Sequence, residues 1–146
     1  MAGPEPHTIT GACLCKKVTV HATPVRDGVE ACHCSMCRNW NGGPLLSVQC
    51  GTDVRFEGEQ HIERYASSGW AERGFCKRCG THLFFHFVPA DHYAIPAGLF
   101  DVELGSLSEE IFIDEKPSYY AFLDGAHRKT GAEIIAEAEA AGFTFE

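Results

Sequence analysis

Eight cysteines in 146 residues, seven of them in three tight groups, constrain this chain more than any other feature. The groups are Cys13-Leu14-Cys15, Cys32-His33-Cys34-Ser35-Met36-Cys37 and Cys76-Lys77-Arg78-Cys79, and Cys50 stands alone. Cysteines this close rarely pair with one another, because disulfide geometry is demanding. The opening residues 1–7 lack a basic region followed by an apolar stretch, so no secretory signal is expected. A reducing compartment then disfavours disulfides. Thiolates two or three residues apart can instead converge on one ion, and zinc favours four such ligands in a tetrahedron.

A Cys-x-Cys with a Cys-x-x-Cys supplies four sulfurs. Cys13 and Cys15 with Cys76 and Cys79 meet that need across about sixty residues, leaving Cys32, Cys34 and Cys37 as a three-ligand site. Three protein ligands leave one vertex free for chemistry. Spacing alone keeps the partition open. Cys76 and Cys79 can join the middle cluster instead, and His33 or Cys50 can close a three-sulfur site. The bland reading of each Cys-x-x-Cys is a redox dithiol. Three clusters occurring together, with no βαβ pattern around them, weigh against it.

Charge narrows the partners. Twelve Lys+Arg against 20 Asp+Glu give a formal net of −8, which argues against nucleic acid or an anionic membrane. No apolar run approaches the roughly 20 residues of a membrane span. With 45% hydrophobic residues the chain can build a core, and its length suits one domain over 1–146, with a core about 8–115. The expectation is a soluble, cytoplasmic protein of undetermined oligomeric state.

Alternation predicts an all-β scaffold. Val18, Val20 and Ala22 mark one strand, and Leu46, Val48 and Cys50 another, followed by a turn at Gly51-Thr52-Asp53 and a strand through Val54-Arg55-Phe56. Further strands are expected at 62–65, 81–88, 93–95 and 111–113, the 81–88 segment being the most apolar and central. One helix is expected within a tail of about 130–142. The run from Gly131 to Ala141 is rich in helix formers and Gly142 can end it. Ile134, Ile135 and Ala138 share a face that can dock on the sheet; the helix reads as a solvated tail, with a dimer contact as the minority reading.

The motifs resemble a known family. Gly11-x-Cys13-x-Cys15, Cys32-His33-Cys34-x-x-Cys37-Arg38, Tyr65-x-Ser67-Ser68 and Arg73-x-Phe75-Cys76-x-x-Cys79-Gly80-Thr81 are similar to the signature of the glutathione-dependent formaldehyde-activating enzymes, which include centromere protein V. The resemblance implies a zinc-centred β-tent of short antiparallel sheets. It also implies two zinc ions: Cys13, Cys15, Cys76 and Cys79 at a structural one, Cys32, Cys34 and Cys37 at an active one. The implied activity is that of a carbon–sulfur lyase joining glutathione to formaldehyde. His33, Ser35 and Met36 stand where the glutathione-dependent synthases carry Gly, Thr and Lys, and the basic extension associated with centromere protein V has no counterpart here.

The remaining candidates each have a bland counterpart. His33 can shuttle a proton at the active site or simply pack behind it. Arg38 and Arg73 can bind a substrate carboxylate, or balance the charge of the thiolates. Trp40 and Trp70 can wall a pocket or fill the core, and Ser67 and Ser68 can donate to the site or cap a turn. Cys50 reads as a buried apolar thiol. The leading function is therefore a zinc enzyme joining a small thiol to an aldehyde. The alternative is a non-catalytic zinc module that binds a partner or small thiol.

Overall fold

The computed structural model describes residues 7–123 and 126–145, so the opening residues 1–6 lie outside it. Eleven strands are described: β1 (Ile9–Ala12), β2 (Thr19–Ala22), β3 (Val29–Cys32), β4 (Leu45–Gly51), β5 (Val54–Glu57), β6 (Ile62–Ala66), β7 (Ala71–Cys76), β8 (His82–Phe87), β9 (His92–Pro96), β10 (Leu107–Ile111) and β11 (His127–Lys129). Two helices accompany them, α1 (Ser35–Asn41) and α2 (Gly131–Ala140). The all-β expectation with a C-terminal helix is met. A three-stranded sheet runs β1-β2-β5, and an eight-stranded sheet runs β11-β10-β3-β4-β9-β8-β7-β6. The pairings are antiparallel except at β10, which runs parallel to both β3 and β11. That departs from the expected purely antiparallel sheets. β10 meets β3 across more than 70 residues, so no hairpin turn dictates its direction.

The core lies between the sheets. Val18, Val20 and Ala22 pack from the small sheet against Val48, Cys50, Leu83, Phe84 and Ile95 of the large one. A register shift between Gly74 and Phe75 leaves Leu83 without a partner on β7. This bulge lets Leu83 and Phe84 both enter the core, while Phe85 and Phe87 take the opposite face. Gly74 belongs to the same device, because a Cβ there would stand 2.1 Å from the Phe84 ring. Gly11 likewise admits the Leu99 carbonyl, which a Cβ would approach to 2.3 Å.

Three sequence expectations need correction. Leu46 is exposed, although it shares its phase with buried Val48 and Cys50; it lies toward the strand end, beyond the core's cover. The strand expected over 111–113 ends at Ile111, because Phe112 adopts a left-handed φ of 54° and a 3-10 turn follows. The C-terminal helix is docked rather than merely solvated. Gly131 is buried with the Phe112 ring against it, and its N–H donates to Asp114 Oδ1 at 2.6 Å. Thr130 and Glu133 form a reciprocal capping box at its start.

Candidate metal centres and the adjoining cavity

The first cysteine group lies on the turn from β1 to β2, where Lys16 N–H donates to the Cys13 carbonyl at 3.0 Å. The third lies on the turn from β7 to β8, where Gly80 N–H donates to the Cys76 carbonyl at 2.8 Å. Leu14 N–H donates to Thr81 Oγ1 at 3.1 Å and joins the two turns. The structure thus selects one of the partitions left open by spacing. The sulfurs of Cys13, Cys15, Cys76 and Cys79 lie within 4.8 Å of one another. The Cys13–Cys15 and Cys15–Cys76 sulfurs are 3.7 and 3.8 Å apart. Sulfurs at about 2.3 Å from a shared tetrahedral zinc would stand about 3.8 Å apart, so this donor set fits the ion. The Thr81 hydroxyl beside Cys79 holds its thiol down to about 5.

Cys32, Cys34 and Cys37 form the second group, also within 4.8 Å. Cys32 ends β3, and Cys34 caps α1, its sulfur accepting from Cys37 N–H at 3.3 Å. Gly42, at φ 77°, ends this short helix. Among the described residues no other Cys, His, Asp or Glu joins the trio. Hydrogen bonds from the Cys32 and Cys37 thiols hold the Cys34 sulfur down to about 2, and those contacts together with burial push the Cys32 thiol up. Three sulfurs this close together match the spacing of ligands around one zinc ion, so this donor set also suits zinc.

The trio lines a cavity of about 550 Å³, on the face of the large sheet turned away from the core. None of the quartet lines it. Arg73 does, and it is 1% exposed. Its Nη2 donates to Cys37 Sγ at 3.5 Å and its Nε to Ser67 Oγ at 3.2 Å, with the guanidinium over the Phe85 ring. Its Nη1 is the buried side-chain nitrogen left without a partner among the described residues. Ser67, Ser68 and Trp70 also line the cavity.

His33 and Arg38 sit elsewhere. His33 is fully buried, with Nε2 donating to Glu110 Oε1 at 2.9 Å and Nδ1 2.7 Å from the Tyr120 hydroxyl. Arg128 donates to the other Glu110 oxygen at 3.1 Å. With both ring nitrogens engaged and the ring absent from the cavity wall, His33 braces the backbone between Cys32 and Cys34. Arg38 Nε donates to the His33 carbonyl at 2.9 Å, tying α1 back to the same residue. Trp40 stacks on Tyr65 outside the cavity. Cys50 is a buried thiol that burial pushes up to about 12.

Sequence reasoning missed Glu110, Tyr120 and most of the cavity wall. Glu110 follows another glutamate on one strand, and only pairing with β3 shows which of the two faces inward. The wall residues from α2 and Phe145 carry no motif.

Residues 8–115 match the family of the glutathione-dependent formaldehyde-activating enzyme. An uncharacterized lyase of Schizosaccharomyces pombe is 34% identical over 127 residues, which are 86% of this chain and 93% of the relative. A crystal structure of a Rhodobacter sphaeroides protein shares the fold, with a TM-score of 0.57 at 17% identity, covering 84% of this chain and all of that one.

Proposed function

The chain belongs to the glutathione-dependent formaldehyde-activating enzyme family, and from that membership we propose that it catalyses the reversible addition of a small thiol to an aldehyde, as a carbon–sulfur lyase. Glutathione and formaldehyde are the reference pair that the family's description names. The observation that carries the reading is the contrast between the two cysteine groups. Four sulfurs that could together satisfy an ion lie away from the cavity, whereas three sulfurs line the cavity with no fourth protein donor among the described residues.

Cys13, Cys15, Cys76 and Cys79 would hold a structural zinc, and Cys32, Cys34 and Cys37 a second one. Zinc bound there would hold a ligating thiol as its nucleophilic thiolate near neutral pH. The chain's own groups do the rest. Arg73 offsets part of the negative charge of the trio through its contact with Cys37, and Ser67 fixes the guanidinium by accepting from Nε. His33 and Arg38 act from behind, holding the Cys32–Cys37 backbone in place. The apolar wall excludes water from the adduct.

That the described residues offer the trio no fourth protein donor favours this reading over a closed, non-catalytic zinc module. The test is adduct formation by zinc-loaded protein, followed by NMR against the uncatalysed rate. Turnover is expected in the wild type and lost in Cys34→Ser. A wild type no faster than buffer with every thiol–aldehyde pair would leave the module reading standing.

A further inference from the structure

The cavity beside the trio is more apolar than glutathione and formaldehyde require. Trp70, Phe85 and Phe87 enter it from the sheet side, and Ile134, Ala138 and Phe145 from the C-terminal segment. Phe145 meets Trp70 edge-on at 5.3 Å and stacks on Phe87 at 6.2 Å, so Phe145 closes an aromatic corner. This closing segment lies outside the family match, which stops at residue 115.

Charge points the same way. Among the described residues, Glu30, Glu115 and Arg73 are the acidic and basic side chains in the wall apart from His92, and Arg73 is the one Arg or Lys. That guanidinium already serves Cys37 and Ser67. Glutathione, with two carboxylates and one ammonium, is small enough for about 550 Å³. Its two carboxylates would nevertheless meet one cationic side chain among the described wall residues, a guanidinium already engaged by Cys37 and Ser67. Formaldehyde, with one carbon, would leave the aromatic corner untouched.

We propose that this site takes an aldehyde bearing an arylalkyl group, adding to a small uncharged thiol, and that the segment beyond residue 115 sets the preference. The inference rests on the thiol–aldehyde reading of the site. In the reaction the thiol S–H bond breaks and a carbon–sulfur bond forms. The carbonyl π pair moves to oxygen, and the thiol proton ends there, giving a neutral hemithioacetal. One extra methylene in an apolar pocket is worth about tenfold or more, so a phenyl ring in this corner is worth roughly a hundredfold.

Zinc-loaded full-length protein tests this with two readouts. Turnover compares phenylacetaldehyde with 2-mercaptoethanol against formaldehyde with glutathione. Calorimetry measures binding of 2-phenylethanol, an unreactive mimic of the arylalkyl group. The expected results are roughly a hundredfold higher kcat/KM for the apolar pair, measurable 2-phenylethanol binding, and several-fold weaker binding in Phe145→Ala. Ile134→Ala provides a second variant with the same expectation. Equal or better turnover of formaldehyde with glutathione, with no 2-phenylethanol binding, overturns the ligand class and leaves the enzymatic reading intact. Binding that weakens in both variants, without turnover of any pair, supports the ligand class and refutes the enzymatic reading.

Discussion

Replacing Cys76 by serine should cost far more than replacing Cys50, although both side chains are fully buried. The two substitutions share one penalty, a hydroxyl placed where a thiol was buried, worth about 1–3 kcal/mol if unsatisfied. Cys76 belongs to the four-sulfur cluster and Cys50 to none. The cluster joins the β1–β2 turn to the β7–β8 turn, so it fastens the small sheet to the large one. A structural zinc contributes on the order of 10 kcal/mol to folding in small domains. That is comparable with the entire 5–15 kcal/mol, roughly, by which a domain is stable. Losing one ligand of four need only forfeit about a third of it to cost about 3 kcal/mol beyond the shared penalty. At about 3 °C per kcal/mol for a chain of this size, Cys76→Ser should melt about 10 °C below Cys50→Ser. Thermal melts by near-ultraviolet circular dichroism, with and without a strong zinc chelator, provide the assay. The gap should be present in zinc-replete protein and should collapse in chelator, because the chelator removes from the reference what the substitution removes from the variant. A gap of similar size in both conditions, or equal melting temperatures with zinc present, would refute the structural role of the quartet.

Other perturbations test other joints. Gly74→Ala should lower stability by about 2 kcal/mol, since its Cβ cannot coexist with the Phe84 ring as placed; an unchanged urea midpoint would contradict the bulge geometry. Glu110→Ala strips His33 and Arg128 of a buried acceptor and should cost about 3 kcal/mol, read by urea denaturation, with a cost under 1 kcal/mol counting against the brace. Burial holds the His82 imidazole down to about 4 from its ordinary 6.5. Its stabilising effect is therefore full above pH 6.5 and is lost as the unfolded chain takes up a proton between pH 6.5 and 4, on the order of 3 kcal/mol in all. The stability of His82→Gln should fall less steeply than wild type over that range, and parallel curves would contradict the assignment.

Legibility in the sequence followed residue chemistry. Val18, Val20 and Ala22 alternate because β2 buries one face only, so its pattern is plain. β4 is buried on both faces at its middle, with Ser47 toward the cavity and Val48 toward the core, which hides the phase and misplaces Leu46. β3 and β7 escape a strand reading because their cysteines, charges and a glycine are chosen for the site and the bulge. The cysteine clusters were legible from spacing, but their partition needed tertiary structure, since the two halves of the quartet are about sixty residues apart. Arg73 was visible as a candidate beside Phe75-Cys76. Arg38 looked equivalent by the same criterion, and only the structure separates a residue of the cavity wall from one tied to the His33 carbonyl. The aromatic corner was not legible, because Trp70, Phe87 and Phe145 meet through packing and not through any local pattern.

Zinc K-edge X-ray absorption on protein loaded with two zinc ions per chain tests the central claim most directly. Seven clustered cysteine sulfurs shared by two ions give about 3.5 sulfurs per zinc, the remainder being a lighter, exchangeable donor. The account predicts that value for the resting protein and a rise toward four when the thiol substrate is added. Four sulfurs per zinc before any thiol is supplied, unchanged on its addition, would contradict it.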